Sequence, residues 1–188
     1  MFKDSLKESI VVKQKLLEDE IFWQDLEKSA GLIGKVLSSG GKILIAGNGG
    51  SAADAQHFAA EIVATLHKEK RKGYPAIALH ENTSFLTAWI NDFGPDGIFA
   101  RQVEAFGQPG DILFGISTSG NSKNVILAAG QAKASGLRTI GLLGNNGGQL
   151  KNECDIALTV PSSVTARIQE VHITIIHMLC EKIVPELK

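Results

Sequence analysis

Short, uninterrupted apolar runs alternate with segments of helical period along most of this chain. Lys42–Ala46, Pro75–Leu79, Asp111–Ile116, Leu137–Leu143 and Asp155–Val160 are strand-length and bounded by turn residues. Helical patterns fill the gaps, over Ala52–His67, Thr83–Phe93, Pro95–Phe106, Ser122–Ala134 and finally Thr165–Leu187. Continuous apolar strands separated by helices dictate a parallel sheet covered on both faces. The expected fold is therefore α/β, a three-layer sandwich with a central sheet of about five strands. Ahead of it, residues 2–28 predict one long helix, and Ala30–Ser39 a second that Gly40-Gly41 stops. Leu6, Ile10, Leu17 and Ile21 form an apolar seam on the first helix. That seam predicts contact with another subunit, or packing onto the chain's own sheet. All 188 residues read as one domain, with helices for assembly over 1–40 and the α/β core over 41–188.

Glycine placement says where such a fold would bind. The chain holds 20 glycines, and all of them lie between Gly31 and Gly148. They cluster after the apolar runs, as Gly47-Asn48-Gly49-Gly50 and Gly144-Asn145-Asn146-Gly147-Gly148, with Gly120 inside a serine-rich stretch. Parallel sheets bind ligands at the carboxyl ends of their strands, so the glycines mark a binding rim.

Other partners are excluded by composition. A net charge of −1 with 21 % charged residues gives no electrostatic footprint for nucleic acid. No apolar run approaches the roughly 18–20 residues of a membrane span, and the charged start Met1–Glu8 is unlike a secretory signal. Cys154 and Cys180 match no zinc or redox spacing and read as free thiols in a reducing cytoplasm. The run Lys68–Lys72 reads as a solvated helix end.

Three constellations carry chemistry. Gly47-Asn48-Gly49-Gly50-Ser51 precedes a helix, which suits close backbone approach to an anion. Gly47, Gly49 and Ala52 also fit the dinucleotide fingerprint, but the acid expected roughly 20 residues on is missing. The first acid at the end of the next strand is Glu81. Ser117-Thr118-Ser119-Gly120-Asn121-Ser122 gathers four hydroxyls at a helix start. Capping explains one of them, and a phosphate site explains all four. His57 and Glu61 share a helix face, with Asp54 and Gln56 beside them, while Gln169, Glu170, His172 and His177 lie on the last helix. Two histidines and a glutamate suit Zn²⁺. Helical geometry leaves open whether Glu170 or Gln169 joins His177.

The motifs, taken in order, carry a resemblance. Gly47–Glu61 closely resembles the first motif of bacterial phosphoheptose isomerases, members of the sugar-isomerase (SIS) domain superfamily. Asn91-Asp92, Phe99–Val103, Gly115–Ser122 and Ala166–His172 resemble their later motifs, so the resemblance spans nearly the whole chain. It implies a cytoplasmic homotetramer with active sites between subunits and one Zn²⁺ per subunit. It implies zinc ligands at His57, Glu61, Gln169 and His177, which favours Gln169 over Glu170. It implies substrate contacts at Asn48, Gly49, Gly50, Ser51, Glu61, Asn91, Asp92, Ser117, Thr118, Ser119, Ser122 and Gln169. The activity implied is interconversion of sedoheptulose 7-phosphate and D-glycero-D-manno-heptose 7-phosphate, toward nucleotide-activated heptose for lipopolysaccharide or capsule. Glu61 is then the base and His177 the acid. Two rivals are a non-catalytic SIS relative that binds the replication initiator and an isomerase for a different sugar phosphate. Glu61 and His177, both present, weigh against the first.

Overall fold

The computed structural model describes residues 2–64 and 71–187. Its core is a five-stranded, wholly parallel sheet in the order β2-β1-β3-β4-β5. The strands are β1 (Ile43–Ala46), β2 (Ala76–Ala78), β3 (Ile112–Ser117), β4 (Arg138–Gly144) and β5 (Ile156–Val160). The helices are α1 (Phe2–Leu17), α2 (Glu20–Ser38), α3 (Gly50–Val63), α4 (Thr83–Phe93), α5 (Ile98–Phe106), α6 (Lys123–Ala134), α7 (Leu150–Glu153) and α8 (Thr165–Ile183).

Alternation within each strand builds the three layers. Ile43, Ile45, Ile112, Phe114 and Ile116 face one core with α1, α2, α3 and α8. Leu44, Ala46 and Leu113 face the other, with α5, α6 and α7. Both sides being buried, the strands read as unbroken apolar runs. Phe58 of α3 meets Phe114 edge-on at 5.0 Å, locking α3 onto the centre of the sheet.

Two local expectations are corrected. Residues 2–39 fold as α1 and α2, with the break at Glu18-Asp19 instead of near 29. Asp19 is the N-cap of α2, its carboxylate accepting from Phe22 N–H at 3.0 Å. The expected stop near residue 29 fails because Ser29 sits inside the helix, its hydroxyl donating to the Asp25 carbonyl, while the following glycines have open space around them. The final helix ends at Ile183 and tightens into a 3₁₀ turn over Val184–Glu186. Helix α3 runs to Val63 with Ala64 as its C-cap, and residues 65–67 of the expected Ala52–His67 helix lie outside the described residues.

The apolar seam faces outward. Leu6, Ile10, Leu17 and Ile21 are 64, 48, 64 and 71 % exposed, whereas Ser9, Val12 and Leu16 face the core. Packing of the seam onto the sheet is thereby excluded. Helix α4 has no buried residue at all, although it carries Phe85, Leu86, Trp89, Ile90 and Phe93.

Candidate functional site

Strand order places the loops after β1 and β3 side by side. The chain leaves β1 toward β2 through α3 on one face, and leaves β3 toward β4 through α6 on the other. Between neighbouring strands whose connections diverge, a crevice opens at the carboxyl edge. Residues 47–50 and 117–122 line it.

Glycine is required in the first loop. A Cβ on Gly47 would overlap the Ser51 backbone, and Gly49, the N-cap of α3, holds φ +56°. A Cβ on Gly50 would overlap the Gln169 carboxamide, so Gln169 of α8 lies against the first residue of α3. No side chain caps α3, whose positive end faces the crevice, while the N–H groups of Ser51 and Ala52 donate to Asn48 O and Gly49 O, each at 3.0 Å.

The second loop is a hydroxyl cluster. Ser117 Oγ is 2.9 Å from Ser122 Oγ and 3.5 Å from Ser119 Oγ, and it accepts from Gly120 N–H at 3.1 Å. Thr118 completes the set, half-buried between Ser117 and exposed Ser119. Ser122 is the N-cap of α6, yet its side chain makes no capping bond and turns into the cluster instead. Gly120, at φ +64°, abuts the backbone of Gly147. Leu150 N–H donates to Gly120 O and Gln149 N–H to Asn121 Oδ1, so the loop after β4 braces this one. Asn48 and Asn124 exchange two amide hydrogen bonds of 2.9 and 3.0 Å, tying the loops together. Sequence reading missed Asn124, because a first-turn asparagine carries no pattern of its own.

A second cluster lies farther along α3 and α8. His57 Nε2 is 2.9 Å from His177 Nε2 and 3.7 Å from Glu61 Oε1. The imidazoles meet edge-on at 4.9 Å. Glu61 Oε2 is buried without a hydrogen-bond partner. Asp54, one turn before His57, is also half-buried, with Oδ2 unpartnered. Burial pushes its carboxyl up to about 6, against the opposing pull of His57. Both helices start at the rim and run back along the sheet. Glu61 is therefore about three turns, roughly 16 Å, from Gly50, and His177 is about 12 Å beyond Gln169. The structure thus brings Gln169 to the rim and gathers His57, Glu61 and His177 below it.

The remaining candidates stand apart. Asn91 and Asp92 are exposed at the end of α4, hydrogen-bonded to each other at 2.8 Å. His172 is a buried core histidine. Its Nε2 is 3.1 Å from Leu143 O, and burial pushes its pKa down to about 4. Glu170 pairs with Arg167 at 2.8 Å. Burial raises both Cys154 and Cys180 to about 12, which disfavours their thiolates. As the side chains stand, no three His, Cys, Asp or Glu groups among the described residues form a ready-made metal cradle.

Comparison with known proteins matches residues 8–144 to the SIS domain family. A phosphoheptose isomerase of Clostridium acetobutylicum is 50 % identical over 182 residues, covering 97 % of this chain and 92 % of that one. One from Helicobacter pylori is 51 % identical over 179 residues, covering 95 and 88 %. The solved structure of a phosphoheptose isomerase from Neisseria gonorrhoeae superposes with a TM-score of 0.91 at 44 % identity, covering 98 % of this chain and 97 % of that one.

Proposed function

The chain belongs to the phosphoheptose isomerases of the SIS domain family, and from that premise we propose that it interconverts sedoheptulose 7-phosphate and D-glycero-D-manno-heptose 7-phosphate. It is a sugar-phosphate isomerase. The observation that carries the site assignment is the Ser117–Ser119–Ser122 hydroxyl cluster beside the uncapped start of α3. Neutral donors and helix N-termini bind a phosphate dianion without a competing counter-charge. In this reading Asn48, Gly49, Gly50, Ser51, Ser117, Thr118, Ser119 and Ser122 hold the phosphate end, with Gln169, Asn91 and Asp92 along the sugar.

The chemistry is a proton shift. Glu61 takes a proton from C1 of the ketose, leaving an enediol, and the proton returns at C2. His177 passes protons between the two oxygens, so no atom is gained or lost. Such acid–base help contributes about 10²–10⁴-fold. An unpartnered, buried carboxylate oxygen on Glu61 suits a base.

Zinc fits the donors present. His57, His177 and Glu61 offer two nitrogens and an oxygen in one cluster and would hold the ion, and Gln169, about 12 Å along α8 from His177, is the proposed fourth ligand. Nitrogen ligands on tetrahedral zinc stand about 3.3 Å apart, so the 2.9 Å histidine pair need open only slightly. Bound zinc supplies Lewis-acid stabilisation of the charge developing on the substrate oxygens. Glu61 has two oxygens, one toward His57 and one unpartnered, so a ligand role and a proton-transfer role need not share an atom.

We also place the enzyme in the cytoplasm as a homotetramer with sites between subunits, its product feeding lipopolysaccharide or capsule heptose. The bare seam on α1 and the start of α2, and α4 with no fully buried residue, support assembly. Among the described residues no helix is long and apolar enough to cross a membrane. The test compares wild type with Glu61→Gln on five-, six- and seven-carbon ketose phosphates. Wild-type preference for the seven-carbon substrate and loss of turnover in the variant are expected. Near-normal turnover by Glu61→Gln would remove the base assignment. Metal analysis of the same preparations should find zinc in wild type and its loss in His57→Ala.

A further inference from the structure

Arg71 belongs to a basic run expected to face solvent, and the structure places its guanidinium elsewhere. The last carbonyls of any helix lack intrahelical partners. At the end of α3, the Ala60 carbonyl is taken by Ala64 N–H. The next two, those of Glu61 and Ile62, accept from a single nitrogen, Arg71 Nη2, at 3.0 and 2.9 Å. Gly73 lies against the following carbonyl, with a Cβ there only 2.9 Å from Val63 O. Residues 71–73 therefore close over the whole last turn of α3. The guanidinium is itself held. Its Nη1 donates to Lys72 O, and its carbon stands 5.8 Å from the centre of the Tyr74 ring. Tyr74 is buried. One guanidinium thus serves both carbonyls through Nη2, reaches Lys72 O through Nη1 and faces the Tyr74 ring, a planar arrangement that a lysine reproduces only in part.

One of the two carbonyls belongs to Glu61. We propose that Arg71 is a positioning residue for proton transfer, pinning the terminal turn of α3 that carries the Glu61 carboxylate. The inference rests on the reading of Glu61 as the base. Helix ends fray by default. A displacement of about 1 Å in a catalytic group can cost roughly 10²-fold in rate. The phosphate loops lie at the other end of α3 and beyond β3, so Arg71 should govern kcat and leave substrate affinity alone.

The experiment compares Arg71→Met and Arg71→Lys with Asp19→Ala, which removes the remote cap of α2. Each is assayed for kcat, KM, melting temperature and the primary isotope effect with C1-deuterated sedoheptulose 7-phosphate. For Arg71→Met, kcat should fall about 10–100-fold with KM near the wild-type value and a larger isotope effect. Arg71→Lys should recover part of the kcat. Asp19→Ala should melt lower with kcat and isotope effect unchanged. An Arg71→Met that merely melts lower, like Asp19→Ala, overturns the proposal, as does a loss in which KM rises in step. If Arg71→Met does not fold, Arg71→Lys decides, and wild-type kcat and isotope effect in it also overturn the proposal. An inactive Glu61→Gln beside an unimpaired Arg71 variant sinks this inference alone, whereas an active Glu61→Gln removes the base reading and this inference with it.

Discussion

Two titratable side chains on the same layer, His172 buried and Asp54 half-buried, work against each other. His172 is held neutral, its pKa driven down to about 4 by burial, so between that value and its ordinary 6.5 the unfolded chain binds the extra proton. Acidification through that window costs stability. Asp54 is raised to about 6 by burial, so between 3.8 and 6 the folded chain binds the extra proton, and acidification restores stability. The two act in opposite directions over this range. Replacing one should expose the other. Melting temperature should fall more steeply from pH 6 to pH 4 in Asp54→Asn than in wild type, and less steeply in His172→Gln. Parallel profiles for the two variants would show that these residues do not set the acid response.

Among elements, α6 separates binding from capping. An N-cap serine ordinarily stabilises its helix, and losing it costs about 1 kcal/mol. Ser122 occupies that position but spends its hydroxyl on Ser117. Ser122→Ala should therefore raise KM for the sugar phosphate while thermal unfolding changes by less than a lost cap would give. A large drop in melting temperature with KM unchanged would return Ser122 to an ordinary capping role. The loop around it is braced by Gly120 against Gly147 and by the Asn48–Asn124 amide pair, so the remaining hydroxyls are expected to keep their places in the variant.

On the scale of the whole molecule, surfaces left bare by one protomer coincide with residues left without a site. No residue of α4 is fully buried, and the side chains of Asn91 and Asp92 at its end bond only to each other among the described residues. If neighbouring subunits complete each other's sites, mixing Glu61→Gln with Asp92→Ala after dissociation and reassembly should yield more activity than the two contribute separately. Simple additivity would place Asp92 and Glu61 in one subunit's site.

Sequence alone determined the parallel sheet, its five strands and the binding edge, because apolar runs buried on both faces and glycines at strand ends leave little else possible. It also paired His57 with Glu61, since residues four apart on a helix share a face whatever the surroundings, whereas His177 came to lie 2.9 Å from His57 only through the packing of α8 on α3. What it could not determine depended on pairings distant in the chain. The split at Asp19 turned on a single side-chain bond to Phe22 N–H. Asn124 gained meaning only opposite Asn48, and Arg71 only beneath the carbonyls of Glu61 and Ile62. The placing of Gln169 at the rim, with His177 about 12 Å along the same helix, was likewise a tertiary outcome. The start of α8 beyond the end of β5 and its packing alongside α3 fix which turn of the helix meets which loop.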